Sequence, residues 1–321
     1  MPSKAIPPAR ERLQSRFLVG IGVPVLCYLV ADGSWPLIRA GHYPRADLVM
    51  ALAISLLFAL LAWRVRSATA MAAWCGGMIC LLVTESFQRI LLTTIGPWRR
   101  TPSIFHSGLT PLLLLFVITY EATKFGRARK ESAGLAESRK GRNAAQVIAN
   151  LGIAALVASL WGEWIYALIA GGWAFSGQPD SFARFTAIFL VPMLAALAEA
   201  TADTVSSEIG QAFGGTPFLL TTFRRVEPGT DGGISLLGTL AGIAAAALIA
   251  ATGAPALGMS FAECVVAFAA GVAGLFFDSL LGATVERKGW IGNDLVNFTS
   301  TAFAAMVALL AIRFAQDSLL R

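Results

Sequence analysis

Between Glu199 and Thr239 the chain reads EATADTVSSEIGQAFGGTPFLLTTFRRVEPGTDGGISLLGT, crowding acids, two adjacent arginines and a glycine-rich turn between apolar runs. An acid within a bilayer costs several kcal/mol unless it pairs, holds a cation or lines a wet cavity, so acids here point to function. Glu199 and Asp203 stand at i and i+4 on one helix face, with Ser206 and Ser207 a turn later and Glu208 just beyond. Arg224 and Arg225 can take phosphate oxygens in bidentate fashion. Gly229, Thr230, Gly232 and Gly233 come just before a new helix, where backbone N–H groups can converge on an anion. The alternative is a plain surface turn, with the arginines marking the edge of the membrane.

A second cluster runs GVAGLFFDSLLGATVERKGWIGNDLVNFTST, from Gly271 to Thr301. Gly271, Gly274, Asp278 and Gly282 recur at spacings of three and four, a strip that admits a close neighbouring helix. Asp278 is therefore expected to face protein, as a cation or proton site or as a simple hydrogen-bond acceptor. Asn293 and Asn297 open the last apolar run, and Thr301 continues the same face. Asp203-Thr204 and Asp278-Ser279 end two runs in similar fashion, a weak internal repeat that would bring both acids to one depth.

The elements that carry these residues follow from composition. The 321 residues are 56% hydrophobic and 14% charged, where about 25% charged is usual for soluble domains. Mean hydropathy is +0.68. The fold class is all-α, a polytopic helical integral membrane protein. Nine spans of roughly 20 residues are expected at Phe17 to Ile38, Leu48 to Trp63, Ala68 to Val83, Ile104 to Tyr120, Val147 to Trp173, Phe185 to Ala202, Ile234 to Ala251, Met259 to Leu281 and Leu295 to Ile312. Phe87 to Trp98 is too short to span and reads as an interfacial or re-entrant helix. Glu163 falls mid-membrane between two tryptophans, while Glu121 and Glu263 lie near span ends.

The basic residues favour a cytoplasmic N-terminus. With that orientation 17 of the 25 Lys and Arg fall on the inner side. It also gathers the polar stretches Lys124 to Gln146, Thr204 to Gly233 and Val285 to Asp294 on one face. Basic residues scattered through short loops read as topology signals, not as a nucleic-acid surface. The longest hydrophilic insertion, KFGRARKESAGLAESRKGRN, is either a solvated loop drawn to anionic head groups or a lid for a polyanion such as a nucleotide. The four cysteines lack zinc-site spacing, and His42 and His106 are far apart, so a histidine-centred site is not expected.

The segments ADTVSSEIG, RRVEPGTDGGISLLGT, FFDSLLGATVERKG and NDLVNFTST, with the upstream TKFG and GRNAAQVIAN, resemble the integral membrane family labelled domain of unknown function 92. That family includes animal transmembrane protein 19 and the plant phytyl-phosphate kinase. The resemblance covers about residues 123 to 304, so residues 1–122 read as divergent N-terminal helices and 123–321 as the family-like core of a single structural domain.

The resemblance implies an enzyme, an isoprenyl monophosphate kinase using CTP or another nucleoside triphosphate with Mg²⁺; the expected location is a bacterial-type cytoplasmic membrane. On that reading Asp203, Glu208 and Asp278 hold the metal, and Arg224 and Arg225 with the Gly229–Gly233 amides hold the triphosphate. Asn293, Asn297 and Thr301 orient the acceptor, whose tail lies beside the glycine strip. The same acids and broken helices also suit an ion-coupled transporter, and the motif order is distantly similar to CTP-dependent lipid cytidylyltransferases. A lipid phosphate and a nucleotide are the expected partners.

Overall fold

The computed structural model describes residues 6–40, 45–95, 107–136, 138–159 and 179–318. Helices α1 (Pro8–Ala40), α2 (Arg45–Arg64), α3 (Ala70–Ile95), α4 (Leu109–Lys124), α5 (Arg127–Ser132) and α6 (Ala144–Ala158) precede α7 (Pro179–Phe213). After α7 come two short strands, β1 (Phe218–Leu219) and β2 (Gly233–Ile234). Helices α8 (Leu236–Ala256), α9 (Phe261–Leu281) and α10 (Asn293–Ser318) complete the chain, with a π-helical turn at Gly282–Glu286 between the last two.

Five stretches of these helices are long and apolar enough to cross a membrane: Pro8–Asp32, Ile188–Phe213, Leu236–Ala256, Phe261–Glu286 and Asn293–Ala315. Leu48–Arg64, Ala70–Glu85 and Ala144–Ala158 are apolar but shorter. Against the nine spans expected from sequence, the described residues thus provide about five of full length. Of the separate piece expected at Phe87 to Trp98, the part up to Ile95 is instead the continuation of α3, unbroken from Ala70, and the rest lies outside the described residues. Glu163, His42 and His106 lie outside the described residues.

Local sequence sets the helix starts near the polar face. Asn143 and Gln146 form a reciprocal capping box at the head of α6; Ser260 with Glu263 does the same for α9 at the opposite end of the bundle. Ser235 caps α8 by accepting from the Gly238 amide at 3.1 Å. Glu263 is therefore a capping residue.

Helix α7 is the centre of the bundle, and 94% of its apolar window is buried, against 39% or less for the other four long spans. Its small residues Ala195, Ala196, Ala198, Ala200 and Ala202 are nearly inaccessible, and α4, α6, α8, α9 and α10 pack around it. Lipid tails are as apolar as leucine, so such contacts rest on close packing, for which small residues suit. A Cβ added at Gly274 on α9 would lie 2.5 Å from Glu199 Cγ, and one at Gly271 2.9 Å from Ala198 Cβ. The glycine strip thus receives α7. It is filled by protein, as expected of a strip that admits a close neighbouring helix.

The polar connections meet on one face. Arg10 donates to the Gly289 carbonyl at 2.8 Å, and Gln14 bonds Trp290 and Gly292, so the start of α1 is strapped to the α9–α10 turn. The Arg142 amide donates to Ser67, and the Thr69 amide donates back to Arg142, tying the α2–α3 turn to the head of α6. Strands β1 and β2 pair antiparallel, Phe218 opposite Ile234 and Leu219 opposite Gly233, closing the α7–α8 connection into a ribbon-based loop.

Candidate functional site

Beneath these connections lies a cavity of about 300 Å³ walled by the ends of five helices and by two of the connections between them. Asp203, Ser207 and Glu208 come from the end of α7, and Asp278 and Ser279 from the end of α9. Arg142, Gln146 and Asn150 come from the head of α6, Ser235 from that of α8, and Asn293 and Asn297 from that of α10. Pro228–Gly233 forms a further wall, with Glu286 of the π-turn beside it. Three helix N-termini therefore converge where two helices deliver carboxylates. Each N-terminus brings unsatisfied N–H groups and a partial positive charge of about half a unit. Such a space suits an anion and a cation together, as in a metal–phosphate complex.

The two aspartates share this space. Asp278 accepts a hydrogen bond from the Ser300 hydroxyl at 3.2 Å and stands within electrostatic reach of Asp203, Glu199 and Glu286. Arg142 is close enough to Asp203 to oppose its charge, and its Nη2 donates to the Thr204 hydroxyl at 3.3 Å. Glu199, one turn deeper on α7, is 1% exposed, and neither of its carboxylate oxygens has a hydrogen-bond partner. The Ser300 hydroxyl beside it lies 3.0 Å from the Asn297 carbonyl and 3.2 Å from Asp278. A buried carboxylate without a donor calls for a proton or a cation nearby.

Not every residue singled out from sequence lies on the cavity wall. Arg224 and Arg225 are exposed and are not among its lining residues; the guanidinium at the wall is that of Arg142. Glu208 does line the cavity, but its carboxylate accepts from the buried Lys130 ammonium, which also bonds the Ala122 and Thr123 carbonyls. Thr301 is fully buried one turn behind Asn297, its hydroxyl 3.0 Å from the Asn297 and Phe298 carbonyls of its own helix and 3.3 Å from the Ala149 carbonyl of α6. Among the described residues no group of three His, Cys, Asp or Glu is arranged as metal ligands.

Gly229, Thr230, Gly232 and Gly233 all line the cavity, but the turn uses part of its own donor set. The Thr230 amide bonds Glu227, and the Gly233 amide bonds Thr230. Gly232 adopts φ +70°, and a Cβ there would strike the backbone of Ala283 in the π-turn. Glycine is thus required twice over, by conformation and by the close approach of two backbones. The π-turn has no sequence signature, and such turns are frequent at functional sites.

The hydrophilic insertion forms part of the roof. Helix α5 docks on the end of α7 through Lys130–Glu208, and Arg129 lies 4.8 Å from the Phe213 ring. Leu135 packs against Gly229. Sequence reasoning counted Arg142 among topology charges and passed over Gln146, Asn150 and Glu286. Polar residues at the head of an apolar run, in GRNAAQVIAN, were the available signal.

Comparison with known proteins agrees with the motifs. The chain is 34% identical to Protein VTE6, chloroplastic, of Arabidopsis thaliana over 220 residues, covering 68% of this chain and 61% of that protein. It therefore spans less than two thirds of the VTE6 length. It is 34% identical to an uncharacterized membrane protein of Methanocaldococcus jannaschii over 211 residues, 64% of this chain and 78% of the other. A Synechocystis membrane protein is 30% identical over 203 residues, 63% of this chain and 72% of its own. No solved structure matches. The model of the integral membrane protein family DUF92 matches residues 100–305, and the chain belongs to that family.

Proposed function

We propose that this chain is a membrane-embedded phosphotransferase, an isoprenyl monophosphate kinase that draws its phosphoryl group from a nucleoside triphosphate such as CTP. The observation that carries this reading is the meeting of Asp203 and Asp278 with Arg142 and three helix N-termini around one cavity. Phosphoryl transfer needs alignment and charge neutralisation more than covalent chemistry, and an acceptor that is already an anionic phosphate needs no general base. That agrees with a chain holding two histidines.

In the reaction an oxygen of the acceptor monophosphate forms a bond to the γ-phosphorus. The bond from that phosphorus to the β,γ-bridging oxygen breaks, and the nucleoside diphosphate leaves with the electron pair. Arg142 and the heads of α6, α8 and α10 would hold phosphate oxygens. Asn293 and Asn297 would orient the acceptor. Exposed Arg224 and Arg225 would act on the incoming nucleotide at longer range.

The residues fit Mg²⁺, which is usually bound by one or two carboxylates with substrate oxygens and waters completing its shell. Asp203 and Asp278 would supply the carboxylates, the buried Glu199 lies one turn beneath them, and Glu208 is engaged by Lys130. When bound, the ion neutralises charge on the transferring group. The Lys and Arg bias would put this face in the cytoplasm.

The test is purified protein in lipid nanodiscs with Mg²⁺, radiolabelled CTP and an isoprenyl monophosphate. The expected products are the isoprenyl diphosphate and CDP, lost by at least about a thousandfold in Asp203→Asn and in Asp278→Asn. Retained turnover in either variant would reject the metal assignment. Release of pyrophosphate would instead identify a cytidylyltransferase, and ion-driven flux in liposomes without turnover a carrier.

A further inference from the structure

Beside the first cavity, and sharing one residue with it, lies a second of about 320 Å³. It opens between the α2–α3 turn, the end of α4 and the loop leading into α6. Arg66, Lys124, Arg127, Arg139 and Arg142 line it, and among the described residues no acid does. Glu131 stands just outside, pairing with Arg127 at 3.0 Å and Arg139 at 3.1 Å. These two hydrogen bonds, that of Arg127 foremost, hold the Glu131 carboxyl below its ordinary range. Five cations thus line this cavity, two of them paired with Glu131 and one, Arg142, also beside Asp203 of the first cavity.

The backbone of one wall is fixed, where the loop into α6 meets the α2–α3 turn, although the Arg139 side chain reaches into solvent. Gly141 is so tightly apposed to the α2–α3 turn that a Cβ would strike the backbone of Arg66, Ser67 and Ala68. The bonds between Arg142 and the 67–69 turn pin the same point. Arg66 itself is held at φ +57°, a backbone conformation that costs a non-glycine residue about 1–2 kcal/mol. Strain of this kind is retained where its surroundings over-determine it, and it clusters at ligand sites.

We infer that this second cavity is a phosphate-binding subsite, taking the phosphate-bearing end of an anionic molecule through Arg66, Arg127, Arg139 and Lys124, with Arg142 as the wall common to both cavities. The ligand chemistry is a phosphate ester or free phosphate. The source is an anionic lipid head group or a soluble phosphate. Clustered guanidinium groups suit phosphate oxygens better than they suit a single carboxylate. Exposed Trp63 beside the α2–α3 turn and exposed Phe125 after α4 would set this opening near the head-group level. The inference does not depend on the reaction proposed above, because Arg66 and Arg139 have no part in it.

Binding measured without turnover tests the subsite separately. In one arm, protein in phosphatidylcholine nanodiscs doped with phosphatidic acid is released and its retained anionic lipid counted by native mass spectrometry. In the other, pyrophosphate binding is measured in pure phosphatidylcholine nanodiscs by equilibrium dialysis. Binding in the first arm assigns a lipid source, and binding in the second a soluble one. The double variant Arg66→Ala with Arg139→Ala is expected to weaken it by about tenfold or more. Lys140→Ala is the control, a cation of the same loop that does not line the cavity, and it is expected to leave binding within about twofold. Thermal melting of each variant verifies folding. Absence of binding in both arms, or an equal loss in Lys140→Ala, would overturn the subsite in favour of none or of diffuse loop charge.

Discussion

The ammonium of Lys130 is 1% exposed and donates to the carboxylate of Glu208, 78 residues further along, at the rim of the main cavity. A short helix from the hydrophilic insertion is thereby fastened to the central helix of the bundle. Removing one member of a buried ion pair strands the other, at a cost of about 3–5 kcal/mol, whereas removing both can be nearly neutral. Glu208 borders the cavity, so the lower end of that range is expected. Thermal melting of Lys130→Met, of Glu208→Gln and of the double variant should show two destabilised single variants and partial recovery in the double. Strictly additive losses would mean that the two groups do not act as a pair.

The proposed ligands should stabilise the fold. A ligand at a hundred times its dissociation constant adds about 2.7 kcal/mol. Mg²⁺ with CTP is therefore expected to raise the melting temperature of the wild type, and EDTA to cancel the rise. In Asp203→Asn and Asp278→Asn the rise should vanish while the ligand-free protein melts no lower, since an amide is easier to bury beside other acids than a carboxyl group is. A ligand-free melt well below wild type would assign these acids to the framework instead.

Arg142 and the Arg224–Arg225 pair make opposite predictions. Arg142 stands at the wall beside Asp203, and the adjacent pair is exposed. A charge-assisted hydrogen bond is worth about 1.5–3 kcal/mol, so Arg142→Ala should lower kcat/KM for the nucleotide by about a hundredfold. Alanine at both 224 and 225 should change it by less than about threefold, with a weaker dependence on salt. A larger loss from the exposed pair than from Arg142 would reverse their roles.

Two glycines of similar backbone angle isolate the value of close approach. Gly215 has φ +69° with open space around it, and Gly232 has φ +70° against the backbone of Ala283. Gly215→Ala should cost only the strain of a left-handed residue, about 1 kcal/mol. Gly232→Ala must also part the loop from the π-turn. Limited proteolysis should cut the 214–235 connection faster in the second variant only. Equal protection in both would mean that the contact is dispensable.

What could be seen in the sequence was whatever the membrane makes expensive. Asp203, Asp278 and Asn297 stood out because each interrupts an apolar run, and all three line one cavity. The strip around Gly274 likewise announced a close neighbour, and Glu199 of α7 occupies it. Arg142 was hidden by its surroundings, since one arginine among seven cations of a loop looks like a topology signal. Its position depends on bonds to the 67–69 turn, a contact between segments more than 70 residues apart. The continuation of α3 to Ile95 was missed because Glu85 and Arg89 break the apolar run without breaking the helix. Composition reports hydrophobicity, not helix length.

The sheathing of α7 sets the terms on which this protein can change. A lipid-facing helix accepts almost any apolar replacement, because acyl chains yield to whatever shape they meet. Along Ala195–Ala202 the neighbours are other helices, so an alanine exchanged for leucine would raise hydropathy and still wedge the bundle apart. Variation there should be limited by side-chain volume, and a survey of tolerated substitutions should find a tightly conserved axis inside a permissive outer shell.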